Sequence, residues 1–240
     1  MLDKHRSRAS PYLDRLSQSF PGWTPDALSW LSFGLFLLGA VALAALRWMA
    51  GFSAWAVPTL LLSAAFLVFG GGVFDALDGH VARARKLASP TGDLLDHVLD
   101  RYADVALLLG LAVSGWAQPL IALLALVSLL LVSYMGTQAQ AVTGKRQYGG
   151  VLGRADRIVL VSGASLFLGV LAVWDLLVPA SWSLPLRVTV WGTALTLFDA
   201  LLLVFVVLGQ ATAYWRARST WRALRSAPPS PPPPPPSGPH

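Results

Sequence analysis

Long runs in which nearly every position is apolar recur along this chain, separated by short stretches that collect charge, proline and glycine. The first run, about 27 to 46, opens at Thr24-Pro25-Asp26, a cap with proline at the start of a helix. A second, about 54 to 74, has Pro58 in its first turns and Gly70, Gly71 and Gly72 near its end. Three successive glycines weaken a helix but admit a ligand or a neighbouring helix closely. The stretch from about 80 to 91 reads as a basic loop closing at Ser89-Pro90, a stop-and-restart signal. The third run, about 92 to 114, is polar in its first half and apolar in its second, and the fourth, about 120 to 142, ends in Ser133, Tyr134, Thr137, Gln138 and Gln140. Arg154 and Arg157 open a fifth, one turn apart on one face, which continues to about 178, and the sixth covers about 188 to 214 with Asp199 inside it.

Each run is long enough to cross a hydrocarbon layer, so the pattern predicts an all-α integral membrane protein with six transmembrane helices. Ahead of them, residues 1–22 place Lys4, Arg6, Arg8 and Arg15 among Tyr12, Leu13, Leu16 and Phe20, an amphipathic pattern expected to lie along the membrane surface, without a signal-peptide cleavage pattern. The predicted organisation is therefore a surface segment over 1–22, a six-span domain over 23–216, and a basic tail over 217–240 that ends in a disordered proline-rich stretch.

Composition sharpens this picture. With 55% hydrophobic and 12% charged residues and a mean hydropathy of +0.59, the 240 residues are too apolar for an ordinary soluble domain. The net charge of +6 does not point to nucleic acid, because the cations lie at the ends of apolar runs, where anionic headgroups are. Fifteen of the 18 Lys and Arg fall at the amino terminus, after spans two and four, and in the carboxyl tail, which places both termini and those loops in the cytoplasm. That orientation predicts a multi-pass plasma-membrane protein. Cysteine is absent, so disulfides and thiolate metal sites are excluded.

The chemistry concentrates at the junction of spans two and three. Asp75 and Asp78 are spaced i, i+3 at the end of one predicted helix, and Asp96 and Asp100 i, i+4 at the start of the next, so two carboxylates face two. Left unneutralised they would repel and carry a large desolvation cost, so a cation is expected among them. An oxygen-only donor set favours Mg²⁺ or Mn²⁺. Arg83, Arg85, Lys86 and Arg101 are near enough in sequence to make a purely structural ion-pair network, but such a network does not require Gly79 and Gly92 beside the acids.

The spacing Asp75-x2-Asp78-Gly79-x2-Ala82-Arg83-x8-Gly92-x3-Asp96-x3-Asp100 resembles, at every fixed position, the signature of the CDP-alcohol phosphatidyltransferases, and the Thr-Pro-x-x-Leu opening of span one extends the likeness. The resemblance implies transfer of a phosphatidyl-type group from a CDP-linked lipid donor to a small alcohol acceptor at the lipid bilayer, with release of CMP, by a homodimer. It further implies two divalent ions, one held by Asp75, Asp78 and Asp96 and the other by Asp75, Asp96 and Asp100, with Asp100 also the catalytic base. Gly79, Ala82, Arg83, Ser89 and Gly92 match positions that hold the cytidine diphosphate, as does the turn bearing Asp26 and Ser29, where the family commonly has Asn and Thr.

The layout Gly-x2-Arg154-x2-Arg157 resembles that of the phosphatidylinositol phosphate synthases and their archaeal counterparts, so Ser133, Gln138, Lys145, Arg146, Arg154 and Arg157 are the expected acceptor-binding residues. A phosphorylated polyol such as inositol phosphate suits that charge. Glycerol phosphate suits it equally, whereas the neutral Gly136, Gln138 and Gln140, where that branch tends to carry charged side chains, suit a neutral acceptor such as inositol or serine. An ion-coupled transporter using the same acids and Asp199 is the remaining class, although neither a repeat nor acids spread through several spans supports it.

Overall fold

The computed structural model describes residues 6–49, 51–144, 153–178, 186–190 and 192–226. It is a helical bundle in the order α1 (Arg6–Gln18), α2 (Pro25–Met49), α3 (Ala56–Ala84), α4 (Pro90–Val113), α5 (Pro119–Thr143), α6 (Arg154–Leu177), a short hairpin of β1 (Val188–Val190) and β2 (Thr193–Leu195), and α7 (Leu197–Ser226). Among the described residues, α2, α3, α5, α6 and α7 are long and apolar enough to cross a membrane. The sixth helix of the bundle, α4, matches them in length but carries Asp93, Asp96, Asp100, Arg101 and Asp104 in its first two thirds.

Helix α2 packs along α3 and α4, α3 along α6, and α5 along α7, with α4 joining the two groups through α5. Phe36, Leu43, Leu61, Val68, Leu111, Phe198, Leu202 and Phe205 form the dry centre. Leu37, Leu38, Val41, Phe66, Phe69, Leu123 and Val207 remain exposed on the bundle's flanks, which hydrocarbon tolerates and water would not.

The glycine triplet interrupts nothing, because its missing side chains are taken up by neighbouring helices. A Cβ on Gly71 would lie 3.2 Å from the Phe36 ring of α2, and one on Gly72 would lie 2.7 Å from Ile158 of α6. Helix α3 therefore runs unbroken past the acids, and residues 80–84, expected in the loop, are its last turn. Ser89 restarts the chain as the N-cap of α4, its Oγ accepting from the Gly92 amide at 3.1 Å with Pro90 at the first helical position.

The expected sixth span begins later than the apolar run does. Val188, Thr189 and Val190 pair in antiparallel register with Leu195, Ala194 and Thr193. β-branched residues on either side of a tight turn favour a hairpin over a helix start. Asp199 is correspondingly at the third position of α7, at the end of that span and not in its interior. Its Oδ2 accepts from the Thr196 amide at 2.8 Å and its Oδ1 from the Gln118 amide at 2.6 Å, so it caps α7 and ties it to the start of α5. The basic stretch after Tyr214 continues α7 to Ser226, where the sequence pattern predicts a tail. The proline-rich end lies outside the described residues.

The surface helix is anchored where the acids are. His80 of α3 meets Asp14 of α1 at 2.7 Å, and Phe20 packs edge-on against Phe74 and Trp23. Arg85 donates to the carbonyls of Trp23 and Phe20 at 2.9 and 3.2 Å, fixing the link that leads into α2.

Candidate active site

Three helix ends converge on the carboxylates. Asp75 and Asp78 project from the last third of α3, Asp96 and Asp100 from the first turns of α4, and the start of α2 closes the side. One oxygen each from Asp75, Asp78 and Asp96 falls within 4.8 Å of the others. Carboxylates brought this close and partly buried repel unless a cation lies among them. Oxygen donors without a His or Cys in the cluster fit a hard divalent ion.

Asp100 lines the same cleft but is held differently. Its carboxylate pairs with Arg154 of α6, which also reaches Asp75, and approaches Arg101 at 3.9 Å. Arg154 thus lies among the acids, its guanidinium also 5.3 Å from the Phe36 ring centre. Arg157, one turn further along α6, goes deeper: it is buried, and its Nη2 donates to Asp104 Oδ2 at 2.9 Å. Asp104 in turn takes Arg101 at 3.0 Å. Three guanidinium groups (Arg101, Arg154, Arg157) pair with Asp75, Asp100 and Asp104, while Asp78 and Asp96 complete an excess of acid that divalent metal would neutralise.

Sequence reading had no hold on Asp104. The signal was present in its place one turn beyond Asp100, on the same face of α4, where a spanning helix turns apolar. Its two cationic partners, one of them on α6, identify it as the acid that neutralises Arg157.

The expected donor-binding residues are brought together in part. Ser29 is buried and donates to Asp78 Oδ2 at 2.6 Å, so the opening turn of α2 orients an acid of the cluster. A Cβ on Gly92 would lie 3.6 Å from Asp26 Oδ1 and 3.3 Å from Ser89 Oγ, which places Asp26, Ser89 and Gly92 in one neighbourhood. Gly79, Ala82 and Arg83 follow along the last turns of α3, with Arg83 exposed.

The expected acceptor residues divide. Arg154 reaches the acids, and Arg157 lies one turn away with its Nε buried and, among the described residues, without a hydrogen-bond partner. Ser133 and Gln138 are on α5, which packs on α4 and α7, and neither lines the cleft; Gln138 is exposed. A polar stripe near the end of a span does not reveal which helix that stripe will face. Lys145 and Arg146 lie outside the described residues.

Comparison with known proteins agrees with this geometry. The profile of the CDP-alcohol phosphatidyltransferase family matches residues 23–216. Archaetidylinositol phosphate synthase of Methanothermobacter thermautotrophicus is 30% identical over 165 residues, 69% of this chain and 73% of that one. Phosphatidylinositol phosphate synthase of Mycobacteroides abscessus is 33% identical over 147 residues, covering 56% of this chain and 66% of that one. A crystal structure of Mycobacterium tuberculosis phosphatidylinositol phosphate synthase with CDP-DAG bound superposes with a TM-score of 0.60 at 23% identity, over 89% of this chain and 93% of that one. The same enzyme in complex with manganese and citrate superposes equally well.

The chain belongs to the CDP-alcohol phosphatidyltransferase family, and is accordingly an integral membrane transferase of phospholipid synthesis that works with a divalent metal.

Proposed function

We propose that this protein transfers the phosphatidyl-type group of CDP-diacylglycerol or CDP-archaeol to a hydroxyl of a phosphorylated polyol, inositol phosphate being the best fit, and releases CMP. The observation that carries the acceptor is the placement of Arg154 and Arg157 on one face of α6 beside the acids, with the Arg157 Nε buried and unpartnered among the described residues. A buried guanidinium donor without a protein acceptor is a ready contact for a phosphate oxygen. Relatives named as archaetidylinositol phosphate and phosphatidylinositol phosphate synthases support the same reading.

In this proposal two Mg²⁺ or Mn²⁺ ions would be held by Asp75, Asp78 and Asp96 and by Asp75, Asp96 and Asp100. When bound they supply electrostatic stabilisation of the diphosphate and of the departing CMP. The chain's own residues do the rest. Ser29 fixes the Asp78 carboxylate, and Asp26, Gly79, Ala82, Arg83, Ser89 and Gly92 line the path of the cytidine diphosphate.

Asp100 accepts the proton of the acceptor hydroxyl. The freed oxygen bonds to the lipid-side phosphorus, the bond from that phosphorus to the bridging oxygen breaks, and CMP leaves with that oxygen. Arg154 and Arg157 hold the acceptor's own phosphate, with Lys145 and Arg146 assigned to the same role by their place in the sequence. The enzyme works from the cytoplasmic side of the plasma membrane with both termini inside, a placement supported by the distribution of Lys and Arg, and as a homodimer, which the family resemblance supports.

Saturation curves for each substrate with Arg157→Gln test this. For a phosphorylated acceptor, loss of a charge-assisted contact of about 2 kcal/mol raises its apparent KM at least about tenfold while the CDP-lipid's changes little. An unchanged acceptor KM overturns that assignment and favours a neutral acceptor.

A further inference from the structure

The end of the bundle away from the carboxylates has a cleft of its own. Eighteen residues separate Ser29 from Arg47 along α2, and eighteen separate Asp96 from Ser114 along α4 and its C-cap. At the rise of a helix each distance is about 27 Å, close to the roughly 30 Å of a hydrocarbon layer. The two helices that frame the carboxylate cleft at one membrane surface therefore frame this one at the other.

It is an open cleft of about 450 Å³, lined by Arg47, Trp48, Ser114, Gly115, Trp116 and Arg187 among others. Two guanidinium groups flank the turn that joins α4 to α5. Arg187 stacks over the Trp116 ring with its guanidinium carbon 4.9 Å from the centroid, and Arg47 Nη1 lies 3.9 Å from the position a Cβ on Gly115 would take. Gly115 has a φ of +71°, a left-handed conformation that disfavours any side chain there and leaves the Arg47 head room.

The turn itself is rigid. Trp116 N donates to Ser114 Oγ at 2.9 Å, Thr196 Oγ1 donates to the Trp116 carbonyl at 2.6 Å, and Gln118 N donates to Asp199. These bonds preorganise the platform on which the arginines rest.

Among the described residues, no ion pair involves Arg47 or Arg187, and no carboxylate lines the cleft. The nearby Asp199 is 1% exposed and already takes two backbone amides. Two unpaired guanidinium groups over one preorganised turn, at the depth of headgroups and beside the exposed indole of Trp48, make a receptor for a phosphate-bearing headgroup.

We propose that this cleft binds the phosphodiester of an anionic phospholipid in the leaflet opposite the candidate active site. Arg47 and Arg187 hold the phosphate oxygens, and the remaining volume accepts the glycerol end of the headgroup. This site shares no residue with the carboxylate cleft, so it stands whichever acceptor the transfer reaction uses.

The test uses the full chain in nanodiscs of mixed phosphatidylglycerol and phosphatidylcholine, with native mass spectrometry counting the phosphatidylglycerol retained on release. Three variants accompany the wild type: R47Q/R187Q, Arg187→Gln alone, and Arg225→Gln as a control. Arg225 stacks over Trp221 at 5.3 Å and does not line this cleft, so it reports what an ordinary interfacial arginine contributes. Arg187 lies outside every helix, so its single variant preserves the bundle if the double variant does not fold. The expected result is retained phosphatidylglycerol in the wild type and in Arg225→Gln, a loss of about fivefold or more in R47Q/R187Q, a smaller loss in Arg187→Gln, and no displacement by millimolar inorganic phosphate. Equal retention by wild type and both cleft variants, or an equal loss in Arg225→Gln, overturns the proposal. Displacement by inorganic phosphate also overturns it and assigns the cleft to free phosphate.

Discussion

Arg154 of α6 and Asp100 of α4 are ion-paired across the carboxylate cleft, and the same guanidinium reaches Asp75 of α3. A cation already engaged with two of the four signature acids competes with a divalent ion for their oxygens. Arg154→Gln is therefore expected to tighten Mn²⁺ binding by about tenfold, about 1.4 kcal/mol, even as acceptor use falls. Mn²⁺ titration followed by electron paramagnetic resonance reads this without turnover; unchanged or weaker binding contradicts the competition.

Ser29→Ala removes the 2.6 Å bond to Asp78, a charge-assisted contact inside a buried site. About 2 kcal/mol is at stake, so kcat/KM for the CDP-lipid is expected to fall by about tenfold or more. Ser29→Thr keeps the hydroxyl and is expected to retain most activity. Equal losses in the two variants speak against this hydrogen bond as the cause.

How much of this was legible in the sequence divides along a physical line. The four acids at Asp75, Asp78, Asp96 and Asp100 could be placed because i, i+3 and i, i+4 spacings set a helix face without tertiary information. The restart at Ser89-Pro90 and the opening of α2 at Thr24-Pro25 were readable for the same reason, since such signals are local. Pairings between distant helices were not. Arg157 could be read only as an acceptor contact, because its pairing with Asp104 depends on how α6 lies against α4. Ser133 and Gln138 lie on α5 outside the lining of the carboxylate cleft, which a polar helix end could not disclose because it carries no mark of its neighbour. The hairpin at Val188–Val190 hid inside an apolar run whose hydropathy suits helix and strand equally.

Asp104→Ala leaves Arg157 buried without its counter-charge. Removing one partner of a buried pair costs about 3 kcal/mol or more, so the thermal midpoint in detergent is expected to drop by several degrees. Replacing both residues with apolar ones of similar size, Asp104→Leu with Arg157→Met, is expected to recover much of that loss while acceptor binding stays impaired. A single variant as stable as wild type contradicts the pairing.

Asp199→Asn separates a cap from a coupling acid. Asn cannot accept from both the Thr196 and Gln118 amides with equal strength, so stability is expected to fall by about 1 kcal/mol. CMP release is expected to stay near wild type. A stable Asp199→Asn protein that has lost activity would restore the proton-coupled reading of this residue.

The most direct test of the account is CMP release by the purified full chain. With CDP-diacylglycerol or CDP-archaeol, inositol phosphate and Mg²⁺, the account predicts CMP formation that requires lipid donor, acceptor and divalent ion together, stops with EDTA, and is absent in Asp96→Asn. CMP release that continues undiminished in EDTA or in Asp96→Asn would contradict it.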